Sequence, residues 1–99
     1  MEKKVLKIAF DIDGTLQGTG NNVSQKAKWL HRELLKFAEM GHDIIVWSGG
    51  GVPYAQWYIN FHKLPARTCM KCSEEVDIAF DDAVARLRGA NITIQVPGE

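Results

Sequence analysis

Apolar residues fall along the chain in short blocks parted by glycine-rich or charged stretches. Their two spacings predict strands alternating with helices. Val5 to Ile12 (V-L-K-I-A-F-D-I) is a short apolar run of β-formers with a glycine soon after, which predicts a buried strand. Gly14 to Asn22 holds three glycines and two asparagines, the composition of a loop. A helix is expected to begin near Ser24, with Asn22 or Ser24 as its N-cap. Val23, Ala27, Leu30, Leu34 and Phe37/Ala38 recur at steps of three and four, which makes one buried stripe, and Gly41 stands where a helix ends.

The second half repeats the scheme. Asp43 to Trp47 (D-I-I-V-W) predicts a second buried strand, closed by Ser48-Gly49-Gly50-Gly51. Pro53 suits the first turn of a helix running to about His62. Leu64 to Cys72 reads as irregular, with a short edge strand around Arg67 to Met70. Val76 to Phe80 is a further buried strand ending at Asp81-Asp82. Ala83 to Arg88 predicts a short helix stopped by Gly89, and Asn91 to Val96 a last strand. The order β-α-β-α-(β)-β-α-β predicts an α/β fold: a three-layer, Rossmann-like parallel sheet with helices on both faces. No repeat, low-complexity tract or linker divides residues 1–99, so one domain is expected.

Composition narrows the class. Twelve Lys and Arg balance twelve Asp and Glu, and this zero net charge argues against generic nucleic-acid binding, which needs a basic surplus. At 45% hydrophobic and 24% charged residues, the chain is ordinary globular material. Its longest apolar runs, such as Ile44 to Trp47, are too short to span a bilayer. Asp11 and Asp13 interrupt what would be the apolar stretch of a signal peptide, and two cysteines make no disulfide framework. The expectation is a cytoplasmic protein with no membrane partner.

The chemistry lies in where the acids fall. In an open parallel sheet, ligands bind beyond the carboxyl ends of the strands. Asp11 and Asp13 follow the first strand, Ser48 and Gly49 the second, Asp81 and Asp82 the later one. Any one of these, taken singly, is commonly a turn former or helix cap, and Asp82 would serve as a cap for the helix after it. Taken together, four carboxylates at one sheet edge repel one another until something cationic neutralises them. A hard divalent cation does so, and Mg²⁺ is usual where phosphate oxygens complete the shell.

Asp11-Ile12-Asp13-Gly14-Thr15-Leu16 after an apolar strand resembles the first motif of the haloacid dehalogenase-like phosphatase superfamily. Val46-Trp47-Ser48-Gly49 resembles its second motif, Lys71 stands where its third puts a Lys or Arg, and Val76 to Asp82 resembles its fourth. The set spans residues 11 to 82 in the family's order. The resemblance implies Asp11 as nucleophile, forming an aspartyl-phosphate. It implies Asp13 as the acid that protonates the leaving oxygen and then the base that deprotonates water. Ser48 and the Gly49 amide would hold phosphate oxygens, and Lys71 would neutralise the phosphoryl group. Mg²⁺ would be held by the Asp11 carboxylate, the Asp13 carbonyl and one of Asp81/Asp82, with Asp82 favoured.

The usual family member carries an inserted cap domain. Here only Gly14 to Asn22 separates the first motif from the first helix, and between Ser48 and Lys71 there is room for one helix and little else, so a capless or minimally capped, open site is expected. Its substrate would be a phosphorylated small molecule or a macromolecular phosphate end, and a second copy of the chain could cover the site. The alternative is a non-catalytic module of the same fold that binds Mg²⁺, phosphate or a partner. A receiver-like domain fits less well, because its phosphorylated Asp should follow a central strand and its Lys the last one.

The remaining candidates read as structural. Cys69-Met70-Lys71-Cys72 admits a redox pair or half a zinc site, but no second C-x-x-C accompanies it, so two reduced thiols are the plainer account. Trp29 and Trp47 are expected in the core. Tyr54, Trp57, Tyr58 and Phe61 share helical spacing and are expected to face the sheet. An exposed part of that stripe would be a substrate or dimer surface. His31, His42 and His62 have no partner at metal-ligand spacing and read as surface or capping residues.

Overall fold

A computed structural model of the chain describes residues 4–17, 25–84 and 87–96. The elements are β1 (Lys7–Asp11), α1 (Gln25–Glu39), β2 (Asp43–Trp47), α2 (Val52–His62), β3 (Val76–Asp81) and β4 (Ala90–Gln95). They form a mixed α/β fold around a four-stranded sheet in the order β2-β1-β3-β4, with every neighbouring pair parallel. The expected edge strand survives as a single parallel bridge between Arg67 and Ile45, beyond β2. Two backbone hydrogen bonds hold it: Val46 N–H to Arg67 C=O at 2.9 Å, and Arg67 N–H to Ile44 C=O at 3.0 Å.

The path explains where the helices go. From β1 through α1 to β2 the chain steps one way across the sheet, and from β2 through α2 to Arg67 it steps the same way again. Right-handed crossovers in one direction put both helices on one face. Leu30 and Leu34 of α1 and Ala55, Tyr58 and Ile59 of α2 accordingly share one core with Ile8, Phe10, Ile44, Val46 and Phe80 of the sheet. Helices had been expected on both faces. The two described helices share one, and Cys69 and Leu87, both outside helices and strands, pack against Ala9, Ile45, Trp47 and Ala79 on the other.

From Arg67 the chain must return across the sheet to β3, and residues 68–75 make that crossing. Arg67 anchors its start. Its guanidinium donates to both oxygens of Asp43 at 3.0 and 2.9 Å and to both oxygens of Glu74 at 2.7 and 2.8 Å. Forked contacts of this kind fix direction as well as distance.

Several expectations fall differently. The helix expected over 83–88 is not among the elements. One turn closes there, with Leu87 N–H on Val84 C=O at 3.0 Å, while Ala85 and Arg86 lie outside the described residues. The N-cap candidates Asn22 and Ser24, and Val23 of the stripe, also lie outside them. Ala27, Leu30 and Leu34 are buried as the periodicity requires, but Trp29 is exposed rather than in the core. His31 is half-buried, its Nε2 2.8 Å from the Tyr58 hydroxyl, and His42 Nδ1 accepts the Leu6 N–H at 3.1 Å. Cys69 and Cys72 are free thiols. No helix among the described residues is long and apolar enough to cross a membrane.

Adjacent positions on α1 test this packing. Leu30→Ala should lower unfolding free energy by about 2–5 kcal/mol, the usual cost of emptying a core leucine site. Trp29→Ala should change it by no more than about 0.5 kcal/mol, as at an exposed position. Urea denaturation of the two variants checks this.

Candidate active site

The parallel register builds the site. Asp11 ends β1 opposite Trp47 of β2, and Asp81 ends β3 opposite Gln95 of β4. Phe10 pairs with Phe80, and their rings stack with centroids 4.7 Å apart. Each following residue, Asp11 and Asp81, therefore arrives at the same edge of the sheet. Asp82 comes next in the chain. Carboxylate oxygens of Asp11, Asp81 and Asp82 lie within 4.8 Å of one another.

Such a cluster is tolerable because a lysine reaches into it. Lys71 Nζ lies 3.2 Å from Asp11 Oδ1 and 2.7 Å from Asp81 Oδ2. Asp81 is fully buried, and its other oxygen accepts the Ala83 N–H at 2.8 Å. Among the described residues the Asp82 carboxylate takes no hydrogen bond or ion pair. It is half-exposed and lies against Gly14. Gly14 has φ +82°, and a Cβ there would collide with that carboxylate, so two separate constraints require glycine.

Charge and burial act in opposite senses on these groups. Burial pushes the Asp11 carboxyl up most, and the Asp81 charge adds to it. Lys71 pulls it down less than these raise it, so its pKa reaches about 7. Burial alone would lower the Lys71 ammonium, but its bonds to Asp81 and Asp11 outweigh that and hold it protonated.

Asp13 stands apart from the three gathered carboxylates. The tight turn after β1, with Gln17 N–H on Ile12 C=O at 2.8 Å and Gly14 N–H on Gln17 C=O at 2.7 Å, leaves Asp13 exposed at the rim. There the Tyr54 hydroxyl donates to Asp13 Oδ1 at 3.0 Å. Burial, then the bond to Asp13, push the Tyr54 phenol up to about 12, so it stays a donor at neutral pH.

Ser48 follows β2 at the same edge and is buried. Its Oγ accepts the Gly50 N–H at 2.9 Å, which leaves its own O–H proton free to donate elsewhere. Gly49 is exposed, with open space where a side chain would be.

Of the residues picked from sequence, Asp11, Lys71, Asp81 and Asp82 thus come together. Asp13 and Ser48 lie at the ends of adjoining strands. Sequence reasoning missed the Tyr54–Asp13 pairing. The available signal was position: Tyr54 lies in the first turn of the helix that leaves the Ser48 loop, so it returns to the same sheet edge. The aromatic stripe of α2 is also split. Tyr58 faces the core as expected, whereas Trp57 and Phe61 are exposed.

Two consequences are measurable. A carboxyl whose folded-state pKa is raised favours the protonated form, so its stabilising share is present at low pH and lost as pH climbs through the folded value. In chelator, Asp11→Asn should therefore match the parent in stability near about pH 4 and exceed it near about pH 8. Denaturation across that range reads the difference. Gly14→Ala should cost at least about 1–2 kcal/mol from its left-handed backbone alone, read by the same method.

Comparison with models of protein families, with curated proteins and with solved structures finds no match to this chain.

Proposed function

We propose that this chain is a phosphohydrolase of the haloacid dehalogenase-like type, hydrolysing a phosphate monoester through an aspartyl-phosphate on Asp11. In this reading the parallel sheet is a reduced, capless core of that family. The 68–75 segment and Leu87 then stand as its thin third layer. One observation carries the proposal: Lys71 Nζ lies between Asp11 and Asp81, with Asp82 beside them, at the carboxyl edge of a parallel sheet.

The donor set is all oxygen, which suits a hard cation. Asp11 and Asp82 would hold Mg²⁺, together with the Asp13 carbonyl that the resemblance implies. Asp81 is the weaker candidate ligand, since Lys71 and the Ala83 amide already satisfy it. The bound ion would neutralise charge on the phosphoryl oxygens.

The chain's own residues then divide the work. An Asp11 carboxylate oxygen attacks phosphorus, and the bond from phosphorus to the ester oxygen breaks. Asp13 gives its proton to that departing oxygen. Because Tyr54 occupies Oδ1 of Asp13, the proton is carried on Oδ2. Asp13 next takes a proton from water, whose oxygen attacks the same phosphorus, and Asp11 departs as carboxylate. Ser48 donates its free O–H proton to a phosphoryl oxygen, and the Gly49 amide donates to another. Lys71 balances the charge that builds on the phosphoryl group and on Asp11. Splitting one displacement into two, with charge matched at each, is the physical gain of a carboxylate nucleophile.

A panel of phosphate esters assayed with and without Mg²⁺ tests this. Hydrolysis should require the ion. Asp11→Asn should abolish turnover, and Asp13→Asn should slow it by about 10²–10⁴-fold, the usual weight of a general acid–base. An Asp11→Asn protein as active as the parent would end the proposal.

A further inference from the structure

We propose that the exposed aromatic rings of α2 seat the leaving group, so that the substrates are phosphate monoesters whose leaving group carries a planar ring. This rests on the phosphohydrolase reading above and names its substrate class. Tyr54 starts the row. Its hydroxyl holds Asp13 at 3.0 Å, and its ring lies against the Ser48 loop: a Cβ on Gly50 would stand 3.1 Å from Tyr54 Cδ2 and 3.3 Å from Ser48 Oγ. The Tyr54 ring thus sits between the group that protonates the departing oxygen and the loop that takes the phosphate.

Trp57 lies one turn along the helix. Its ring centroid is 6.1 Å from that of Tyr54, and the planes are 16° from parallel. Phe61 follows at 5.3 Å and 28°. Trp57 is 53% and Phe61 66% exposed, while Ala55, Tyr58 and Ile59 supply the helix's buried face. The two outer rings therefore add little to the core. They form a ledge of near-parallel rings leading away from Asp13.

The reaction fixes what passes over that ledge. Asp13 hands its proton to the ester oxygen, so the leaving group departs on the Asp13 side, over Tyr54. A ring bonded directly to the ester oxygen comes first over Tyr54, and a second fused ring, as in naphthyl phosphate, extends on to Trp57, whose centroid is 6.1 Å further along. A ring held off by a sugar, as in a nucleoside monophosphate, extends to Trp57. Planar rings stack on exposed aromatic faces in either case.

The test measures kcat/KM in Mg²⁺ for naphthyl phosphate, a nucleoside monophosphate and glycerol phosphate, with the parent, Trp57→Ala and Phe61→Ala. The parent should prefer the ring-bearing esters. Trp57→Ala should lower the preference for a ring-bearing ester over glycerol phosphate by about 10-fold, chiefly through KM, as expected for one lost stacking contact. Loss on the nucleotide assigns a nucleoside leaving group, and loss on naphthyl phosphate an aryl one. An unchanged preference in both variants overturns the proposal, as does a change confined to self-association in sedimentation. Hydrolysis of none of the esters would end the phosphohydrolase reading instead. The ledge is then read alone, by tryptophan fluorescence with naphthyl phosphonate against propyl phosphonate. Ring-dependent quenching lost in Trp57→Ala supports it, and an equal or absent response overturns it.

Discussion

One ammonium group makes this sheet edge tenable. Asp11, Asp81 and Asp82 bring carboxylate oxygens within 4.8 Å of one another, two of them on buried residues, where like charges are poorly screened. Lys71 lies against both buried acids. Delivering it constrains the rest of the chain. It stands on the crossing that runs from the Arg67 edge back to β3, so that crossing has to bring Lys71 to the carboxyl end of the sheet. Arg67 holds both ends of the crossing together, through Asp43 at the foot of β2 and Glu74 just before β3. The segment is a loop, and Cys69 within it helps cover the second face of the sheet.

Much of the edge was legible from the sequence because a parallel sheet aligns carboxyl ends. Acids that close separate strands must meet, whatever the loops between them do. Side-chain orientation on α2 was less legible. Tyr54, Trp57, Tyr58 and Phe61 all fit spacings of three and four, and periodicity alone does not say which of two overlapping rows is buried. Ala55, Tyr58 and Ile59 fill the core, where the Tyr58 hydroxyl donates to the Leu16 carbonyl at 3.3 Å. The row of Tyr54, Trp57 and Phe61 is left outside. Trp29 failed for a similar reason: it stands one position before Leu30, which turns it about 100° off the buried stripe.

The two acids of the first motif illustrate how two residues' separation yields different chemistry. Asp11 ends a strand and is buried against Lys71. Asp13 belongs to a turn whose backbone bonds, Leu16 N–H to Asp11 C=O and Gln17 N–H to Ile12 C=O, fold it back onto itself. That turn carries Asp13 to the surface. A nucleophile gains from a fixed, charge-matched setting, whereas a group that exchanges protons with a leaving group and then with water needs access to both. Burial for one and exposure for the other fit the separate roles proposed for them.

α2 serves both the core and the acidic edge. Its first turn reaches the candidate site through Tyr54, and Ala55, Tyr58 and Ile59 go to the core. Here two faces are aromatic, and only one is needed for packing. Large rings left in water bring the fold no burial free energy, since the hydrophobic gain comes from area removed from solvent. Trp57 and Phe61 would gain that burial only when something covers them. The end of their row at Tyr54, and so at Asp13, ties any such covering to the edge where the acids gather. Under the proposed reaction the same covering would exclude water from one side of the phosphoryl transfer, a task that lids perform elsewhere.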